Sequence, residues 1–136
     1  MNKTVFFIGC LLLLVTLTGY LSSCKTRDET NPPGVGFISE PGYVSDDTTL
    51  PANSIATILV YANKLGVIDL LDSGTIQRSV NGGPDTVLQT MRFTSTQFSQ
   101  YYSYQLGAAG NSYKYIFTFF NQNMVGGSDS VIITTY

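Results

Sequence analysis

Tyr113-Lys114-Tyr115-Ile116-Phe117-Thr118-Phe119-Phe120 is the stretch on which the fold turns. A strand sends successive side chains to opposite faces, so Tyr113, Tyr115, Phe117 and Phe119 share one face. Lys114, Ile116, Thr118 and Phe120 share the other. Four rings at period two predict a strand with its aromatic face buried.

The neighbouring stretches repeat the pattern. Val131 to Thr135 reads as a last strand, joined to the first by a break over Asn121 to Gly127. If this hairpin packs Tyr115, Phe117, Val131 and Ile133 inward, then Ile116, Phe120 and Ile132 face outward. A solvated face should be polar, so these three form a candidate partner-binding strip. The competing expectation is that the tether or a loop folds over them.

Further toward the N-terminus, Phe98, Tyr102, Tyr104 and Leu106 alternate with Ser99, Tyr101, Ser103 and Gln105. Ala56, Ile58, Val60 and Ala62 alternate with Thr57, Leu59 and Tyr61. Asn81-Gly82-Gly83-Pro84 is a turn, because tight hairpins demand positive φ. It joins a strand around Thr75–Val80 to one around Thr86–Met91, and Gly107 to Asn111 makes another break. Helix-like spacing occurs only over Ala62 to Leu71, where Gly66 and β-branched neighbours oppose it. The expected fold is all-β: one sandwich of about seven strands spanning residues 36–136.

The order of features resembles the immunoglobulin-like or PKD-like domains of Bacteroidota surface lipoproteins. The matching residues are Gly42-Tyr43-Val44-Ser45-Asp46-Asp47, the strand Ala56–Ala62, the Asn81-Gly82-Gly83 hairpin and the closing segment from Gly110 to Thr135. The resemblance implies a tyrosine corner at Tyr113, two residues before an inward Tyr115. The chain lacks the family's cysteine pair, its core tryptophan and the Trp-Asp-Phe-Gly signature, and has an extra residue between Gly110 and Tyr113.

The N-terminus reads as an address followed by an anchor. Lys3 precedes an uncharged, almost unbroken apolar run from Val5 to Tyr20, as in a secretory signal. Leu21-Ser22-Ser23-Cys24 resembles the lipobox of bacterial lipoproteins. That resemblance implies a signal peptide over residues 1–23, cleavage of the Ser23–Cys24 bond and lipidation of Cys24. A membrane-spanning helix needs about 20 apolar residues, and this run falls at the lower limit. Two acyl chains hold a protein at a membrane where one is marginal, at about 0.8 kcal/mol per buried methylene.

Residues 24–35 then form a flexible tether, rich in polar residues and carrying Pro32-Pro33-Gly34. Ten or so such residues reach at most roughly 35 Å. Lys25 replaces the aspartate of inner-membrane retention signals, so delivery to the outer membrane is expected. Asp28-Glu29 resembles the acidic surface-export tags of Bacteroidota lipoproteins.

Composition bounds the function. Among 136 residues there is no histidine and no tryptophan, and the two cysteines, Cys10 and Cys24, both precede the domain. The folded part therefore lacks the commonest general base, the commonest metal ligand and a thiol nucleophile, so no enzyme and no cofactor are expected. The chain carries a net charge of −2 and no basic run, so no nucleic-acid partner is expected.

Asp69 and Asp72, alone or with Asp46 and Asp47, lack the six to eight oxygens of a calcium site and read as solvated loop charges. Gly34-Val35-Gly36 follows no strand and precedes no helix, so it cradles no phosphate. What remains is a non-catalytic binding or structural module, lipid-anchored at the cell envelope, with an envelope protein or a glycan as partner. Exposed Tyr61 and Tyr101 on one sheet face would favour a glycan-binding accessory domain for polysaccharide capture. An apolar strip without such a platform would favour the non-catalytic binding or structural module.

Overall fold

The computed structural model describes residues 30–66 and 69–136. The signal peptide, Cys24 and the first part of the tether lie outside the described residues. Eight strands and, among the described residues, no helix follow in order: β1 (Gly34–Phe37), β2 (Thr48–Leu50), β3 (Ile55–Asn63), β4 (Leu71–Val80), β5 (Thr86–Ser95), β6 (Gln97–Gln105), β7 (Ser112–Asn121) and β8 (Gly126–Thr135). They form a three-stranded sheet, β1-β3-β6, and a five-stranded sheet, β2-β8-β7-β4-β5. All neighbours pair antiparallel except β2 and β8, which run parallel.

The alternation predicted for β3 and β7 holds. Ala56, Ile58, Val60 and Ala62 from one sheet meet Tyr115, Phe117 and Phe119 from the other, all at 0–1% exposure. Tyr102 and Leu106 of β6 and Val131 and Ile133 of β8 complete this core. On the inner face of β3, Ala56 and Ala62 flank the larger Ile58 and Val60, and this face packs with the β7 rings in one core. Ring contacts bridge the layers: Phe37 meets Phe117 edge-on at 5.6 Å, Phe98 meets Phe119 at 5.1 Å, and Tyr104 stacks on Tyr115 at 4.5 Å. Such pairs contribute about 0.5–1.5 kcal/mol each beyond burial.

The turns follow from local chemistry. Asn81 and Gly82 both have positive φ, 53° and 73°, and the Gly83 amide donates to the Val80 carbonyl at 2.9 Å. Positive φ at both central residues is what a type I′ hairpin demands. On β5 a bulge opposite Ile76 and Gln77 shifts the register. It packs Leu88 against the core and leaves Val87 exposed.

The expected all-β sandwich of about seven strands is what forms: among the described residues there are eight, and β1 and β2 are too short to show a period in the sequence. Two boundaries differ from the expectation. Packed structure begins inside the segment assigned to the tether: Gly34 and Val35 pair with Asn63 and Ala62, and a Cβ on Gly127 would overlap the Pro33 carbonyl oxygen. Strand β8 starts at Gly126, within the expected break.

The Asn121 side chain explains that early start. Its Oδ1 accepts from the Asn123 and Val125 amides at 3.0 and 2.9 Å, while its Nδ2 donates to the Asn31 carbonyl at 3.1 Å. One buried amide thus closes the β7–β8 loop and clips the incoming chain to it.

Candidate functional site

The outer face of the five-stranded sheet carries the predicted strip, and the register separates its members. Ile116 lies opposite Ser130, and Ile132 lies opposite Lys114. Ile116 and Ile132 are therefore diagonal neighbours, about 7–8 Å apart by backbone spacing. Phe120 is opposite Gly126, four residues beyond Ile116, with Thr118 between them on the same face. Its ring covers that glycine, since a Cβ there would sit 2.8 Å from the ring.

Phe120 and Ile116 are half-buried, and Ile132 is exposed at 36%. Outward orientation holds for all three, but they form one pair and one isolated ring rather than a continuous strip.

Sequence reasoning missed a shallow groove on the outer face of the three-stranded sheet. Glu40-Pro41-Gly42-Tyr43 forms a turn in which the Tyr43 amide donates to the Glu40 carbonyl at 3.1 Å. Gly42 has φ +94°, and proline followed by a positive-φ glycine is the type II pattern. The Ile38 amide donates to the Leu59 carbonyl and the Val44 amide to the Thr57 carbonyl. These two bonds carry the chain along the edge of β3 beyond β1.

Tyr43 thereby stands at a shallow groove shared with Pro41, Thr57, Tyr101 and Ser103. A second shallow depression, lined in part by Asp46, Asp47, Leu50 and Ile55, adjoins it along the same loop.

The Thr57 and Ser103 hydroxyls lie 3.0 Å apart on the groove floor. Tyr101, opposite Leu59 in the ladder, is 65% exposed, and Ile55 is 64% exposed. Of the carboxylates, Asp47 accepts from the Ile132 amide at 2.7 Å and so pins β8. Asp46 accepts from the Ser45 hydroxyl at 2.9 Å.

Tyr61 does not join Tyr101 in an open platform. It is half-buried, and a Cβ on Gly36 would lie 2.7 Å from its hydroxyl. The ring thus lies along β1. The readable signals for this groove were the Pro41-Gly42 pair and the exposed parity of Thr57, Tyr101 and Ser103.

Two other groups are interior. Asp69 is not a solvated loop charge but is buried at 3% exposure, and its Oδ1 accepts from the Asn123 side-chain amide at 2.6 Å. Arg78 faces inward opposite Tyr115. Burial raises the hydroxyl pKa of Tyr102, Tyr104 and Tyr115, and for the last two the nearby Arg78 cation partly offsets it. Among the described residues, no three His, Cys, Asp or Glu side chains stand close enough together to hold a metal ion.

Solved structures match this architecture at low sequence identity. The CARDB domain of the PF1109 protein from Pyrococcus furiosus, solved in complex with di-metal ions, superimposes with a TM-score of 0.50 and 16% identity. The match covers 82% of this chain and 100% of that one. Spo0M, a sporulation control protein from Bacillus subtilis, gives 0.46 and 10%, covering 78% of this chain and 51% of that one. A beta-glucosidase from Listeria innocua, in complex with glucose, gives 0.45 and 6%, covering 76% and 16%. No family model and no curated protein matches the sequence. The likeness to the CARDB domain shows the fold: an immunoglobulin-like β-sandwich.

Proposed function

We propose that this chain is a lipoprotein anchored to the outer membrane through Cys24, whose immunoglobulin-like sandwich is a non-catalytic binding module of the cell envelope. The anchor rests on Leu21-Ser22-Ser23-Cys24 behind an uncharged apolar run. The binding role rests on one observation above others: Tyr101 stands 65% exposed at the groove it shares with Tyr43, Thr57 and Ser103. A large ring left in water without a folding role is available to a partner.

The same observation favours a second, finer reading, in which the groove holds a glycan. Tyrosine rings offer a flat apolar face to a sugar ring, and the Thr57 and Ser103 hydroxyls offer donors and acceptors beside it. To separate the readings, the lipidated full chain is pulled down with insoluble polysaccharides and, in parallel, cross-linked on intact cells. Retention on a polysaccharide that Tyr101→Ala abolishes supports the glycan reading. A protein cross-link lost in the same variant supports an envelope protein partner. Unchanged capture in both assays removes the groove from the binding role.

A further inference from the structure

Of the strands that end the two sheets, three carry devices that discourage pairing with another chain. β1 and β2 are only four and three residues long, and β5 is bulged and carries Arg92. Short length, bulges and charge are the usual protections of a sheet edge. β6 has none of them. Its nine residues, Gln97-Phe98-Ser99-Gln100-Tyr101-Tyr102-Ser103-Tyr104-Gln105, hold no charge and no proline, and its ladder with β3 runs unbroken over nine pairs.

Backbone parity fixes which groups face outward. The Lys64 amide donates to the Thr96 carbonyl, and the Leu106 amide donates to the Ser54 carbonyl. Both are even-numbered on the β6 side, so even residues point their amides and carbonyls at β3. Odd residues point theirs at the open edge. Gln97 confirms the parity: its carbonyl accepts from the Ser95 hydroxyl at 2.5 Å, and its amide donates to that oxygen at 3.2 Å. One end of the edge is thus sealed by its own chain, and Ser99, Tyr101, Ser103 and Gln105 follow beyond it.

The odd residues of this edge, which face the open side, read the same in both directions about Tyr101. Reversed, Ser99 falls on Ser103 and Gln97 on Gln105, while among the even residues Phe98 falls on Tyr104 and Gln100 on Tyr102. Two antiparallel copies centred on Tyr101 also set odd residues opposite odd residues, which the outward hydrogen-bonding groups require. A register one residue off sets odd against even and forms no ladder.

We propose that β6 is a homodimerisation edge, on which a second copy of this chain pairs antiparallel with Tyr101 on the twofold axis. The two three-stranded sheets join into one of six strands, and Ser99 lies opposite the other copy's Ser103. With no charge on the strand, self-pairing meets no repulsion. Because Tyr101 also lines the groove, the two grooves meet at the axis. The inference stands whatever the groove binds.

Hydrogen-bonded antiparallel pairs place Cα atoms about 5.5 Å apart, inside the disulfide range. The full chain is produced in cell envelopes as Tyr101→Cys, Ser99→Cys or Ser103→Cys, oxidised mildly and compared with the wild-type chain. Tyr101→Cys should give a disulfide dimer by itself. Ser99→Cys and Ser103→Cys should cross-link when co-produced but not singly, since each lies about 13 Å along the strand from its own copy.

Tyr101→Lys, with Ser99→Lys as the second variant, should reduce the detergent-solubilised protein from dimer to monomer with an unchanged β-sheet circular-dichroism spectrum. No Tyr101→Cys dimer above the wild-type background, equal cross-linking at all three positions, or a dimer that survives both lysines overturns the proposal.

Discussion

The Gly107 backbone amide donates a 2.9 Å hydrogen bond to the hydroxyl of Tyr113, six residues further along the chain. Tyr113 is buried at 6% exposure near the start of β7, and the bond ties the β6–β7 connection to the sheet. This is the tyrosine corner that the sequence resemblance implies. Gly107 fits closely, since a Cβ there would lie 2.6 Å from the hydroxyl oxygen.

Tyr113→Phe removes the acceptor and keeps the ring, so it should cost about 1 kcal/mol. For a domain of this size that lowers the melting temperature by roughly 4–8 °C. Gly107→Ala should cost at least as much, because its methyl group displaces the hydroxyl. Thermal unfolding followed by circular dichroism reads both. An unchanged Tyr113→Phe midpoint would mean that the corner carries no stability.

Asn121 makes a stronger claim. Its amide satisfies two backbone donors and one acceptor at 1% exposure, so Asn121→Ala leaves buried groups unpaired. The expected loss is about 3 kcal/mol in urea unfolding, given about 1–3 kcal/mol for each orphaned group. Hydrogen exchange should speed up at the Asn123 and Val125 amides together with the segment around Asn31. Faster exchange at the loop alone would mean that the clip to Asn31 is inert.

Alkaline pH tests the buried tyrosines. Burial raises the pKa of Tyr102, Tyr104 and Tyr115 above the ordinary value of 10.0. In the unfolded chain they lose protons near pH 10, while the folded protein still holds them. The unfolded state then binds fewer protons, so stability falls as pH rises. Their contribution is complete below about pH 10 and is lost above it. Tyrosinate absorbance should therefore rise in two phases, exposed tyrosines first and the buried ones together with loss of circular dichroism. A single phase that precedes unfolding would contradict the burial.

The anchor is tested at one residue. Cys24→Ala should abolish incorporation of radiolabelled fatty acid and leave the chain uncleaved or unanchored. The wild-type chain, measured as intact mass, should begin at Cys24 with two or more acyl chains added. Retention of residues 1–23 in the wild-type protein would remove the lipoprotein reading.

Much of the sandwich is legible in the sequence because alternation is local. Ala56 to Ala62 and Tyr113 to Phe119 announce their buried faces without knowledge of a partner strand. β1 and β2 are not legible, since four and three residues show no period and their pairing with β3 and β8 is distant in the chain. The burial of Asp69 is set by Asn123, 54 residues away. The groove escapes for the same reason: Tyr43 lines it with Tyr101 and Ser103 only because β3 carries both the loop and β6. Outward facing of Ile116, Phe120 and Ile132 was readable, but their spacing was not, because the break expected over Asn121 to Gly127 hid Gly126 from Phe120.

That spacing gives the last test. Phe120 lies across Gly126, an exposed strand glycine with no side chain of its own to pack, and the ring shields the ladder there. Phe120→Ser strips this cover and should lower the melting temperature by several degrees, as expected for a half-buried ring that is lost. Ile132 pairs with Lys114 on an open face, and its backbone is held by Asp47 whatever its side chain. Ile132→Ser should therefore leave the midpoint within roughly 2–4 °C, since exposed substitutions usually change stability by no more than about 0.5 kcal/mol. If Ile116 and Ile132 form a partner surface, Ile132→Ser loses a cell-surface cross-link at unchanged stability. If they are ordinary exposed residues, it loses nothing. Equal destabilisation by both substitutions would place the two side chains in one buried unit, against the register that separates them.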